Sequence, residues 1–219
     1  MRAVDVFVAV DYRRVMKIIS GKWGGQSLKA KSRLRPNPEM RPTSNKVREA
    51  IFDILEARVV DDWSEIKVLD LFAGCGSFGF ESLSRGASYV DLVEHHLATV
   101  RELKKLIVGF EASKFAEVHC RGVLEALPEL DKAYDLIFLD PPYGDGWIVP
   151  AMNRVRELSR LKPHGVVIAE HSKRELLSPL EGFWKLLNAR RYGDTMVSFY
   201  GLRSAEKFWE SKWGSKPNE

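Results

Sequence analysis

The chain has 219 residues, 45% of them hydrophobic and 29% charged, with a formal net charge of +4. That length allows one domain with a buried core plus an appendage. Its longest apolar runs stop short of the roughly 18 residues of a membrane span. The two cysteines, Cys75 and Cys120, exclude a disulfide framework and lack metal-ligand spacing, so no metal is expected and a reducing cytoplasm fits.

Residues 4–10 read VDVFVAV, but Asp5 interrupts them and the stretch is too short for a secretory segment, so no export signal is expected. Residues 1–15 form an N-terminal extension, either an extra strand or the product of a start placed too early. From Arg13 to Arg48 the chain carries a run of cations against one acid, Glu39, interleaved with Trp23 and turn residues. Such clustering is the footprint of phosphate-backbone contact, with a solvated basic arm as the plainer alternative. Within it, KIISGKWGGQSLKA (17–30) predicts two short strands about a glycine turn, and the proline-rich residues 31–42 predict a loop. Ser44 can cap a helix whose Val47, Ala50, Ile51, Ile54 and Leu55 recur at helical spacing.

From residue 66 strands and helices alternate. IKVLDLFAG is a strand ending in glycine, SFGFESLSRG a helix stopped by Gly86, SYVDLVE a strand, and LATVRELKKLIVGF a helix with Val100, Leu103, Ile107 and Phe110 on one side. AEVHC and AYDLIFLD are strands separated by a short helical piece over 123–127. WIVPAMNRVRELSRL is helical with Pro150 in its first turn, and GVVIAE is a buried strand. FWKLLNARRY and TMVSFYG flank Gly193-Asp194 as a hairpin. The alternation predicts an α/β fold: a doubly wound, mostly parallel seven-stranded sheet with one antiparallel edge and a small N-terminal hairpin-and-helix appendage, binding ligands beyond the strand C-termini.

Two stretches carry chemistry. VLDLFAGCGSFG places Gly74, Gly76 and Gly79 between a strand and a helix, where glycines let a ligand approach backbone N–H groups. Glu94 ends the next strand, about 20 residues on, where a carboxylate can hold both ribose hydroxyls. Asp70 is out of place beside a pyrophosphate but suits the ammonium and sulfonium of S-adenosylmethionine. Phe72 and Ala73 complete the cofactor-binding set with Asp70, Gly74, Gly76 and Glu94.

Asp140-Pro141-Pro142-Tyr143 follows the fourth strand, next to that loop. The lone pair of an exocyclic base nitrogen is delocalised into its ring, so it is a poor nucleophile. An oxygen acceptor on each N–H favours a pyramidal nitrogen whose lone pair faces the methyl group. Asp140 can supply one acceptor, the proline-held carbonyl of Pro141 another, and Tyr143 can stack on the base.

DLFAGCG with DPPY resembles class I adenosylmethionine-dependent methyltransferases that act on exocyclic amines. Joined with IISGKWGG, RPTSNKVREAIFDIL and LDLFAGCGSFGFESLSRGA, the pattern resembles the bacterial family that methylates guanine N2 in small-subunit ribosomal RNA, over about Met16 to Leu202. The resemblance implies a Rossmann-like methyltransferase domain over 59–203, an RNA-facing appendage over 16–58 and a polar C-terminal tail over 204–219. It assigns Asp70, Gly74 and Gly76 to the methionine end of S-adenosylmethionine, Glu94 to its ribose, and Asp140 through Tyr143, with Pro142, to the target guanine. Lys22, Arg41, Thr43, Ser44, Lys46 and Arg48 fall to the RNA side, although Ser44 also reads as a cap. The implied partner is ribosomal RNA within a small subunit or an assembly intermediate, met by a cytoplasmic monomer. Many relatives of the fold place an Asp after the third strand to hold the adenine amine; here CRGVLEAL has Arg121 and Gly122, so no side chain is assigned. His95-His96 reads as the beginning of a helix, and Cys75 has no partnered base. An adenine-N6 methyltransferase acting on DNA or RNA is the alternative, since the same tetrapeptide serves that reaction. An NAD oxidoreductase is disfavoured by Asp70, and a non-catalytic RNA-binding module by the intact tetrapeptide.

Overall fold

The computed structural model describes residues 16–28, 45–142, 144–175, 177, 180 and 182–214. Expectations for residues 1–15, for the loop over 31–42 and for the Ser44 cap lie outside these. In chain order the elements are α1 (Asn45–Arg58), β1 (Lys67–Asp70), α2 (Ser77–Arg85), β2 (Tyr89–Glu94), α3 (Leu97–Gly109), β3 (Ala116–Cys120), α4 (Val123–Ala126), β4 (Tyr134–Leu139), α5 (Ile148–Glu157), β5 (Leu161–Ser172), β6 (Trp184–Tyr192), β7 (Thr195–Leu202) and α6 (Glu206–Trp213).

The sheet has seven strands in the order β3-β2-β1-β4-β5-β7-β6. Strands β1 to β5 pair in parallel, and β7 enters antiparallel between β5 and β6. The chain winds outward from β1 to β3 and then returns to β4. The crevice beyond β1 and β4 is therefore the switch point at which such sheets bind ligands.

Strand alternation divides the core in two. Val68, Val90, Leu92, Leu136 and Phe138 face α1, α2, α3 and α6, while Leu69, Val93, Ile137, Leu139 and Val167 face α4 and α5. On the first face Phe52 of α1 lies 4.9 Å from Phe78 of α2, and Phe78 stacks on Phe138 of β4 at 4.2 Å. Each buried aromatic is worth about 1.5–3 kcal/mol of burial, and this row holds the end of β4 against both helices. Gly79 allows α2 to lie close to the sheet: a Cβ there would sit 2.5 Å from Leu92 Cδ2.

Two segments differ from the sequence reading. Residues 17–30 were expected to form two short strands, but the described part holds one bridge, Lys17 to Ser27, around a 3-10 turn at Gly21–Trp23. Ile18 N donates to Gln26 O and Leu28 N to Met16 O across this turn, while other amides bond to side chains of α2. Ile19 and Ser20 donate to Glu81 at 2.6 and 3.0 Å, and Trp23 donates to Ser84 Oγ at 2.9 Å. Ile18, Trp23 and Leu28 then join α1 in the main core. The second difference lies in 204–219, where the expected polar tail carries helix α6. Its Trp209 and Trp213 are buried against the sheet, so the two rings, and not the flanking charges, decide the outcome.

Candidate active site

Strand β1 ends at Asp70, and the loop that follows turns through Gly74 (φ 51°) and Gly76 (φ 76°), both left-handed. Gly76 is also the N-cap of α2, with its amide bonded to Ala73 O at 2.7 Å. A side chain at 76 would be strained by that φ and would meet Leu103 and Phe80 at 2.8 Å. The loop is fixed to the next strand by Ala73 N donating to Val93 O at 2.9 Å.

The Glu94 carboxylate, 8% exposed, joins this loop to the start of α3. Its Oε2 accepts from the Gly74 amide at 3.1 Å, and its Oε1 accepts from the His96 amide at 2.7 Å. His96 is the N-cap of α3, as expected of a His pair that begins a helix. Asp70 is 1% exposed; Oδ2 accepts from the Gly79 amide at 3.3 Å, and Oδ1 is buried without a hydrogen-bond partner. Burial pushes its carboxyl up to about 7. The negative Glu94 adds to that rise, and the Gly79 and Phe72 amides oppose it. Phe72 is half-buried and Ala73 buried.

Strand β4 leads to the second motif. Asp70 is in register with Phe138, and Leu71 N donates to Phe138 O at 3.0 Å. Asp140 follows two residues later. At strand spacings of about 4.8 Å across and 3.3 Å along, its Cα lies roughly 8 Å from that of Asp70. Asp140 is half-buried, Pro141 buried and Pro142 exposed. Beyond them Gly144 (φ 89°) and Gly146 (φ 65°) reverse the chain into α5. Trp147, the N-cap of α5, stands 39% exposed at this rim. The sequence reading placed Trp147 in a helix and gave it no role; its position four residues after Tyr143 was the available signal.

The RNA-side residues part company. Lys22 is exposed, 5.6 Å over the Trp23 ring, and Lys46 is exposed on the first turn of α1. Arg48 was expected as a surface cation but is 1% exposed: its Nη2 donates to Lys17 O and, at 3.1 Å, to Asn45 Oδ1. Burial lowers its pKa, and it fastens α1 to the preceding segment inside the core. Tyr143, Arg41, Thr43 and Ser44 lie outside the described residues.

Two other groups have plain explanations. Burial raises the Cys75 thiol, which disfavours a nucleophilic thiolate. Asp91, Glu117 and His119 converge closely enough to ligate a cation. Asp91, however, already accepts from His119 Nε2 and Tyr134 OH, each at 2.7 Å, and has Lys132 Nζ at 3.7 Å. Its charge is compensated, and it lies about 10 Å down β2 from Glu94.

A seven-stranded sheet with one antiparallel hairpin and two acids about a glycine loop at the switch point defines a Rossmann-like methyltransferase fold. An Escherichia coli protein of known structure, yhhF, superposes with a TM-score of 0.72 at 25% identity, covering 85% of this chain and 97% of its own. Residues 16–201 match the model of the family described as Conserved hypothetical protein 95, and the chain belongs to that family. The ribosomal RNA small subunit methyltransferase D of Haemophilus influenzae is 31% identical over 84% of this chain and 93% of its own length. The protein of the same name from Escherichia coli is 28% identical over 84% and 89%.

Proposed function

We propose that the chain transfers a methyl group from S-adenosylmethionine to the exocyclic N2 of a guanine in small-subunit ribosomal RNA. The observation that carries this reading is the register between β1 and β4, which sets Asp140-Pro141-Pro142 beside the acidic glycine loop. The names of the relatives support ribosomal RNA as the substrate.

The residues fit the cofactor. Asp70 has a buried oxygen without a partner, and with Glu94 it gives the loop a negative pair suited to a cation. In this reading Asp70 takes the ammonium, Glu94 the ribose hydroxyls, and Gly74 and Gly76 leave room for the methionine end, with Phe72 and Ala73 as the loop wall. The cofactor supplies a methyl group already activated by its sulfonium. The chain supplies position and charge. Asp140 and the Pro141 carbonyl accept the two N2 hydrogens, turning the nitrogen lone pair toward the methyl group, and Asp140 stabilises the positive charge that grows on N2 and takes its proton. Tyr143 stacks on the guanine, and Lys22 and Lys46 contact phosphates. The work is done by a monomer in the cytoplasm.

The test supplies radiolabelled S-adenosylmethionine with small ribosomal subunits, protein-free ribosomal RNA and duplex DNA from a strain lacking the enzyme. Label in N2-methylguanosine is expected. Label in N6-methyladenosine, or in DNA alone, overturns the assignment in favour of the adenine-N6 alternative.

A further inference from the structure

We infer that the rim formed by the end of β5 and the β6–β7 turn is a second RNA-backbone contact surface, built by Lys173, Arg174, Arg190 and Arg191. It rests on ribosomal RNA being the substrate and extends the contact beyond the N-terminal basic segment.

The register places this rim on the same edge of the sheet as Asp140. Leu139, just before Asp140, pairs with Ala169 of β5. Three residues on, Ser172 pairs with Thr195 of β7, which pairs with Tyr192 of β6. All three strands therefore present their ends beside the switch point. From β4 across β5 and β7 to β6 is three strand spacings, about 14 Å, or roughly four phosphate steps of a nucleic-acid strand at 3.4 Å each.

That edge is basic. Lys173, Arg174 and Arg191 are exposed and Arg190 is half-buried. Acids lie among them too, and Asp53 of α1 acts with Arg190 on Tyr192. Asp194 pairs with Lys173 at 2.5 Å, and Glu175 has its carboxyl raised by burial. The cations are carried on a fixed frame: Lys173 N donates to Asp194 O at 2.9 Å, and Arg191 Nε donates to Gly193 O at 2.9 Å. A rigid array of this kind loses little entropy when it meets a phosphate backbone. It also gives a structured RNA a further point of contact, which helps fix its orientation.

The experiment measures binding of small ribosomal subunits and of protein-free small-subunit ribosomal RNA as a function of salt. It compares the wild type with Arg174→Glu/Arg191→Glu and with Lys114→Glu/Lys207→Glu, which makes the same charge change on exposed residues at the opposite edge. Each lost phosphate contact reduces the slope of log K against log salt by about 0.9 for duplex or 0.7 for single strands. The rim variant should lose about 1.5 units of slope and at least tenfold in affinity at 0.1 M salt, while the control changes little. S-adenosylmethionine affinity, unchanged in all three, confirms folding. If the Glu variant does not fold, Arg174→Gln/Arg191→Gln replaces it. A rim variant indistinguishable from the control in slope and affinity, on whichever form the wild type binds, overturns the inference and leaves the substrate reading intact; a wild type that binds neither form overturns both.

Discussion

The Gly79 amide donates to Asp70 Oδ2 across 3.3 Å, and this bond satisfies only one of the two carboxylate oxygens. The unpartnered oxygen sits in a buried place with Glu94 nearby, so the proton is held up to about pH 7.

A pH dependence follows. The folded-state value of about 7 lies above the ordinary carboxylate value, about 3.9 in an unfolded chain. Between the two the folded chain binds the extra proton, so this group favours folding at low pH and that contribution is lost as pH rises through 7. A cationic ligand prefers the ionised form. S-adenosylmethionine affinity should therefore rise with pH up to about 7, approaching tenfold per unit below it. Calorimetric titration at pH 6, 7 and 8 checks this, and Asp70→Asn should bind weakly with no such slope.

Gly79→Ala should destabilise the fold. The new methyl group would meet Leu92 Cδ2 at 2.5 Å and Val90 Cγ1 at 3.1 Å, so α2 or both side chains must move. Overpacking of this kind costs about 1–3 kcal/mol, seen as a melting temperature lower by about 2–10 °C. An unchanged melting temperature would show that Leu92 gives way freely.

The parallel sheet was legible in the sequence because each strand is a short apolar run and each helix has its own stop, such as Gly86 after α2. The β6–β7 hairpin was legible from Gly193-Asp194, and Gly193 does adopt a positive φ of 68°. Residues whose environment is tertiary were not. Arg48 looks like any surface cation until α1 packs on Lys17 O. Glu81 looks like a solvated helix position, yet it is fully buried because two amides from residues 61 and 62 positions away converge on it. Trp209 and Trp213 stand among charges, and only the sheet face they cover explains α6. At the site, motif spacing located Asp70, Glu94 and Asp140, while the exposure of Trp147 came from the chain reversal after Asp140.

Asp140→Ala should separate binding from turnover. Asp140 lies just beyond β4, whereas Asp70 and Glu94 end β1 and β2. Cofactor affinity should stay within about threefold of wild type, while kcat falls by about 10²–10⁴, the usual worth of a positioned acid or base. Equal losses of both would put Asp140 in the cofactor site.

Trp147→Ala should weaken RNA without touching the cofactor. Trp147, at the N-cap of α5 seven residues after Asp140, stands 39% exposed, and stacking of one base on such a ring is worth about 1–3 kcal/mol. The expected result is a KM for ribosomal RNA raised by about 5–100-fold, with kcat and cofactor affinity nearly constant, and substantial rescue by Trp147→Phe. A KM unchanged in the Ala variant would mean that the ring faces solvent in the complex as well.

Glu81→Ala should loosen the segment before α1. Glu81 accepts from Ile19, Ser20 and, at 2.9 Å, from Arg85 Nε; removing it leaves those two amides without acceptors, while Arg85 keeps its 2.7 Å ion pair with Glu56. Each buried donor left unsatisfied costs about 1–3 kcal/mol, and the loss should concentrate where the bonds were. Hydrogen exchange at Ile19 and Ser20 should accelerate well before that of β1 and β4. The double variant Glu81→Leu/Arg85→Leu removes both charges but still leaves the amides bare, so it should recover part of the global stability and none of the local protection. Recovery of both would place the ion pair, and not the amide bonds, in charge of docking residues 16–28 onto α2.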